Sequence, residues 1–198
     1  FLRVGHLELW ARRAARGEAG GLEGLRSLAE YAMRREFGEI ARGEAPLAQR
    51  IVSMVREFAA RQSALATHWL RVGYVQGNYN SDNCLLSGRT MDYGPFGFME
   101  RFEPRWNPFT GDPGGGNYGF ERQPEAAQVN VLTLARALIP LLESLPGGAE
   151  LIPAVQRAVK QEFEEVSARD LEQMRREKLG LAPVGGAAAD SREVEGLW

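Results

Sequence analysis

Apolar side chains recur at helical spacing along four stretches of this chain. Leu25, Leu28, Ala32, Phe37 and Ile40 predict an amphipathic helix over 22–40. Gly43 and Pro46 then punctuate the chain, with Pro46 placed for a first helical turn. From Leu47 to Leu70 the stripe is clearest: Leu47, Ile51, Met54, Val55, Phe58, Leu65 and Trp69 share one face, while Arg50, Arg56, Glu57 and Arg61 lie off it. Gly73 suits its C-terminal cap. A third helix runs from Gln123-Pro124-Glu125 to Leu145 through Val129, Leu132, Leu134, Leu138, Leu141 and Leu142, with Pro140 expected to kink or break it. The last runs over about 151–178 on Val155, Val159, Phe163, Val166, Leu171 and Met174, and Gly180 can stop it.

Between the helices the pattern changes. The first ten residues, FLRVGHLELW, fit a short strand or extended linker, and the charged run from Arg12 to Glu18 leads into a glycine-rich loop. The stretch 76–97, QGNYNSDNCLLSGRTMDYGPFG, alternates short apolar runs with turn residues. Cys84–Leu86 and Arg89–Met91 on either side of Ser87-Gly88 predict a β-hairpin whose open end brings Asn83 close to Asp92. The segment 98–119, rich in Pro, Gly, Asn and aromatics, predicts a long irregular loop. The fold class expected is therefore mainly α with one small β-hairpin set between helices.

Composition narrows the partners. The chain has 198 residues, a formal net charge of -2, 44% hydrophobic and 25% charged residues. That is enough for one domain with a real core, or for part of a larger one. Its charge argues against a general nucleic-acid binder. No run of apolar residues approaches the ~18–20 that a bilayer span needs. Cys84 is the one cysteine, so no disulfide framework exists and a reducing, intracellular setting is the simpler expectation. Phe1-Leu2-Arg3-Val4-Gly5 has no initiator Met and no leader character, and reads like the interior of a longer protein. The Gly/Ala-rich end of the chain, 181–198, is expected to be a flexible tail.

The candidate chemistry lies in the 76–97 stretch. Asp82, Asn83 and Asp92 place two carboxylates and an amide within eleven residues, and such oxygen donors suit a hard cation such as Mg²⁺ that also meets phosphates. Turn formation alone would use the same residue types. Other motifs fail on context. Gly114–Gly119 fits G-x-G-x-x-G, but no strand precedes it and Pro124 follows, so it reads as a flexible loop. Asn78, Asn80 and Asp82 begin like a calcium loop, but Asn83 and Arg89 stand at the positions that require Gly and Glu. His6 and His68 have no second His or Cys at ligand spacing.

A helix, a polar loop with Asp then Asn, a hairpin and then Asp-aromatic-Gly is the order in which protein kinases build a phosphoryl-transfer centre, although kinases separate their loop Asp and Asn by four positions. The adjacent Asp82-Asn83 followed by Thr90–Phe98 (TMDYGPFGF) resembles the selenoprotein O family of kinase-like protein adenylyltransferases. The likeness extends to Arg3-Val4-Gly5-His6, to Arg122-Gln123-Pro124-Glu125 and to Asn130, and covers 1 to about 180.

That resemblance implies a kinase-like C-terminal lobe over 1–180, with a catalytic loop at 76–83 and a DYG segment at 92–98, the N-terminal lobe being absent. It implies Asp82 as catalytic base, Asn83 and Asp92 as Mg²⁺ ligands and Arg3 as a contact to ATP phosphate. The implied reaction moves AMP from ATP to Ser, Thr or Tyr hydroxyls of protein substrates, and a mitochondrial address is implied by the family alone. The family has His-Gly where this chain has Gln76-Gly77, and small apolar residues where it has Asn78-Tyr79. Three readings stay open: an adenylyltransferase, an ordinary kinase-like phosphotransferase, and a degenerate, pseudokinase-like member serving as a structural or binding subunit of a larger assembly.

Overall fold

The computed structural model describes residues 1–91 and 94–181. Asp92 and Tyr93, and the tail expected from 182 onward, lie outside the described residues. Helix α1 spans Val4–Ala15, α2 Gly21–Glu36, α3 Gly38–Arg42 and α4 Leu47–Val72. Strand β1 (Tyr74–Gln76) and strand β2 (Phe96–Phe98) follow, then α5 (Gln123–Ser144), α6 (Ile152–Val159) and α7 (Val166–Leu179). The mainly helical class with one antiparallel strand pair is as expected.

The centre is α4, whose stripe of Ile51, Met54, Val55 and Phe58 is wholly buried. It packs on α5, α6 and α7, while α1 packs on α2 and α5. Leu134, Leu138, Leu7 and Leu25 close the same core. At about 25 cal/mol per Å² of apolar surface removed from water, this interface is the main driving force of the fold. Gly73 ends α4 in the left-handed conformation (φ 74°), as its place after the stripe predicted. Phe120–Ser144 passes for a membrane-crossing helix by length and composition alone, but 56% of its most apolar 18-residue window is buried inside the fold, as in a core helix.

Four details differ from the sequence reading. Residues 4–15 are helical rather than a strand, because Val4, Leu7 and Ala11 lie on one buried face and the first turn docks on a distant loop. The 22–40 helix breaks at Phe37 (φ -133°, ψ 55°), whose ring is buried under the Arg61 guanidinium. Helix α5 continues through Pro140 to Ser144. Between α6 and α7 the chain takes a π-helical turn over Lys160–Glu165, which carries Phe163 into the core.

The expected hairpin is reduced to one antiparallel bridge, Cys84 with Thr90, closed by Leu85 N–H to Arg89 O at 3.0 Å. Gly88 takes the positive φ (79°) of the turn. The paired ladder lies further out, Tyr74 opposite Phe98 and Gln76 opposite Phe96. The ladder brings the two ends of the 76–97 stretch together, and the bridge folds its middle back on itself.

Candidate active site

Residues 2–5 zip onto residues 81–86. Leu86 N–H donates to Leu2 O, Val4 N–H to Cys84 O and Gly5 N–H to Ser81 O, at 2.9–3.0 Å. The last two bonds satisfy first-turn donors of α1 that have no partner within the helix. Ser81 Oγ also donates to Glu8 Oε2 at 2.8 Å. Arg3 is the N-cap residue, and its own N–H donates to His6 Nδ1 at 3.2 Å. Burial, and then the Arg3 charge, hold the His6 imidazole below its usual range, in keeping with an acceptor Nδ1. His6 therefore braces Arg3.

This docking puts Arg3 beside Asp82, 79 residues away. The Arg3 guanidinium lies 3.8 Å from Asp82 Oδ1 and donates to Asp82 O at 3.4 Å. Asp82 is 70% exposed, so its carboxylate faces solvent as well as Arg3. Gly5 makes the approach possible: a Cβ there would sit 2.5 Å from Asp82 Oδ1. Arg3 Nε is buried without a partner, a donor on the same side chain.

The loop carrying Asp82 is fixed by its own polar groups. Asn80 Oδ1 accepts from Asp82 N–H at 3.0 Å, and Asn83 Nδ2 donates to Asn78 O at 2.6 Å. The second bond orients the Asn83 amide, whose carbonyl oxygen is the donor type a hard cation takes. Asn83 O accepts from Met91 N–H and Thr90 Oγ1, both at 3.1 Å. The chain immediately before Asp92 therefore lies against Asn83.

Gln76, fully buried, donates through Nε2 to Met91 O (3.1 Å) and accepts at Oε1 from Tyr74 Oη (2.6 Å). It meets the hydrogen-bonding demand of its buried position without a charge. Gln123 on α5 accepts from Gln76 N–H (2.9 Å) and donates to Tyr74 O (2.6 Å), tying β1 to the core. Beneath the loop, Asn130 Nδ2 donates to Tyr79 O at 2.8 Å, and Tyr79 Oη donates to Gln62 Oε1 at 2.6 Å. Cys84 is buried, and burial pushes its thiol up to about 12, which makes it inert at neutral pH.

Arg3 and Asp82 thus meet, Asn83 adjoins Asp82 in sequence, and Asp92 lies outside the described residues. Gly5, Asn107 and Asp112 were not read from the sequence. Gly5 lies in a run expected as a strand or extended linker, and Asn107 and Asp112 sit among many loop Asn and Asp residues; none of the three gave a signal.

Sequence comparison identifies relatives over nearly the whole chain. The family model described as protein adenylyltransferase SelO matches residues 1–196. A protein named protein nucleotidyltransferase YdiU from Azoarcus sp. (strain BH72) is 36% identical over 197 residues, covering 100% of this chain and 34% of its own length. Proteins of the same name from Rhodopirellula baltica (37% over 145 residues) and Flavobacterium johnsoniae (33% over 181 residues) cover 72% and 91% of the chain, and 26% and 31% of their own lengths. The chain spans about a third or less of the curated relatives it matches. These relatives are bacterial and lend no support to a mitochondrial address. By the match of its whole length, the chain belongs to the protein adenylyltransferase SelO family.

Proposed function

We propose that this chain is the catalytic-loop portion, kinase-like in architecture, of an enzyme that transfers AMP from ATP to Ser, Thr or Tyr hydroxyls of proteins. The observation that carries this reading is the meeting of Arg3 with Asp82 across 79 residues, in a chain whose family is a nucleotidyltransferase one. Charge of both signs is then held at one exposed point, where a phosphate and a hydroxyl could be brought together. Arg3 would bind an ATP phosphate as a fixed cation through its guanidinium. The first-turn amides of α1 already serve loop carbonyls, so the phosphate contact falls to the Arg3 side chain. Asp82 would orient the acceptor hydroxyl and take its proton.

Asn83 and Asp92 are the residues that would hold Mg²⁺. The described part fits: a hard amide oxygen, an oriented amide plane, and the chain leading to Asp92 bonded to Asn83. When bound, the ion would offset negative charge on the phosphates. The protein's own part is to hold Asn83 and the flank of Asp92 together.

The reading is tested on the full-length protein with ATP labelled separately at the α- and γ-phosphorus. Protein should take up label from the α position alone. Transfer from γ alone would establish a phosphotransferase, and no transfer from either would favour the non-catalytic subunit.

A second measurement bears on Asp82. Gly5→Ala should favour the helix by up to about 0.5–1 kcal/mol through propensity, yet its methyl displaces the exposed Asp82 carboxylate. We expect an unchanged or slightly higher melting temperature, with AMP transfer reduced about tenfold or more. Unaltered transfer would show that the Asp82 position is not critical.

A further inference from the structure

The loop after β2 contains a buried carboxylate that neither the apolar core nor the proposed chemistry uses. Asp112 is 4% exposed. It accepts from Asn117 N–H (3.1 Å), Tyr118 N–H (2.9 Å), Asn117 Nδ2 (2.9 Å) and Asn107 Nδ2 (2.8 Å), all neutral donors. Burial alone would raise its carboxyl, but the N–H bonds from Tyr118 and Asn117, with those of the two Asn side chains, outweigh this and lower it. The Gly114–Gly119 segment, expected from sequence to be a flexible loop, instead winds around this carboxylate. Gly115 (φ 60°) packs so closely that a Cβ would lie 2.0 Å from Arg105 O.

Asn107 carries this order to the site. The Nδ2 group that donates to Asp112 also donates to Gly77 O at 3.3 Å. On its other side, Gly77 N–H donates to Pro95 O at 2.8 Å. A Cβ on Gly77 would be 2.5 Å from Asn107 Oδ1 and 2.6 Å from Pro95 O, so only glycine fits between them. Gly77 begins the loop that carries Asp82 and Asn83, and Pro95 follows Asp92 by three residues. Both limbs of the site therefore join at this one residue.

We propose that Asn107 and Asp112 are positioning residues for the reaction: Asp112 fixes Asn107, and Asn107 fixes Gly77 at the junction of the two limbs. The kinetic part of this proposal rests on the adenylyl-transfer reading; the structural part does not. Each limb must be held to a fraction of an ångström for transfer, since a displacement of ~1 Å can cost about 100-fold. A carboxylate is suited to this role because it holds four donors from three residues at once.

Asn107→Ala, Asp112→Asn and the double variant, made in the full-length protein, test the proposal through amide hydrogen exchange and AMP-transfer kinetics. Exchange at Gly77 should quicken about tenfold or more in each single variant, with the amides of α4 unchanged. The kcat should fall about 10- to 100-fold, with KM for ATP within about threefold. The double variant should be no worse than the worse single one, because the two residues act in series. Wild-type exchange at Gly77 in a folded Asn107→Ala protein would overturn the proposal, as would kcat losses that multiply in the double variant. If the wild-type protein transfers no AMP, the adenylyl-transfer reading fails, and exchange at Gly77 alone decides for or against the clamp.

Discussion

Asp82→Ala in the full-length protein is expected to lower AMP transfer about 10²–10⁴-fold, the range general-base catalysis supplies, while thermal unfolding moves by little. The two expectations come from different bonds. Ser81, Cys84 and Leu86 are held by backbone contacts to residues 2–5, and the Asp82 N–H is held by Asn80. None of these uses the Asp82 carboxylate. Its ion pair with Arg3 at 3.8 Å is solvent-exposed on the Asp82 side and contributes about 0–1 kcal/mol at most. Asp82→Asn should lose activity as Ala does, since it keeps the shape and removes the base. A folded Asp82→Ala protein with wild-type transfer, measured with α-labelled ATP, would remove Asp82 from the mechanism.

Asn130→Asp is expected to destabilise the fold by about 3–5 kcal/mol at neutral pH, the cost of an uncompensated buried charge. Asn130 is 1% exposed, and its Nδ2 donates to both Tyr79 O and Ala126 O. A carboxylate in the same place would confront two carbonyls with no proton to offer. Protonation returns one donor, so the introduced group has a raised folded-state pKa. The folded state then binds more protons than the unfolded state, and the penalty shrinks as pH falls from that raised value towards about 4. Denaturant melts at pH 7.5 and pH 5 would measure this. Equal destabilisation at both values would show that the carbonyls do not set the cost.

Helix α4 was legible because its code is local: Ile51, Met54, Val55 and Phe58 recur on one face, and Gly73 follows. Helix α1 was not, because Val4 favours a strand and Gly5 disfavours a helix by propensity, and their reason for being helical lies at Ser81–Leu86. The same distance hid Gly5 as a contact to Asp82. In the 76–97 stretch, the residue types of the site were readable, and so was the return of the chain towards Asn83. The ladder at Tyr74–Gln76 and Phe96–Phe98 was not, since three-residue strands leave no period to read. The π-helical turn at Lys160–Glu165 was equally silent: one displaced carbonyl leaves the apolar pattern of Val159, Phe163 and Val166 intact. Asp112 shows another limit. Nothing in Gly-Asp-Pro tells a buried carboxylate that gathers a loop from one that ends in water.

The amide of Gln123 closes one border of the β1–β2 ribbon. Backbone groups alternate in direction along an antiparallel pair, and bonds from Gly77 to Pro95 and from Met99 to Gly73 turn the odd-numbered groups inward. Tyr74 and Gln76 therefore face outward from β1, and Gln123 takes the place of a third strand there. On β2 the outward groups belong to Phe96 and Phe98, whose side chains are exposed. Among the described residues, the border of this ribbon open to a strand from another polypeptide, whether a binding partner or an aggregating copy, is β2, which begins two residues beyond the Asp-Tyr-Gly segment.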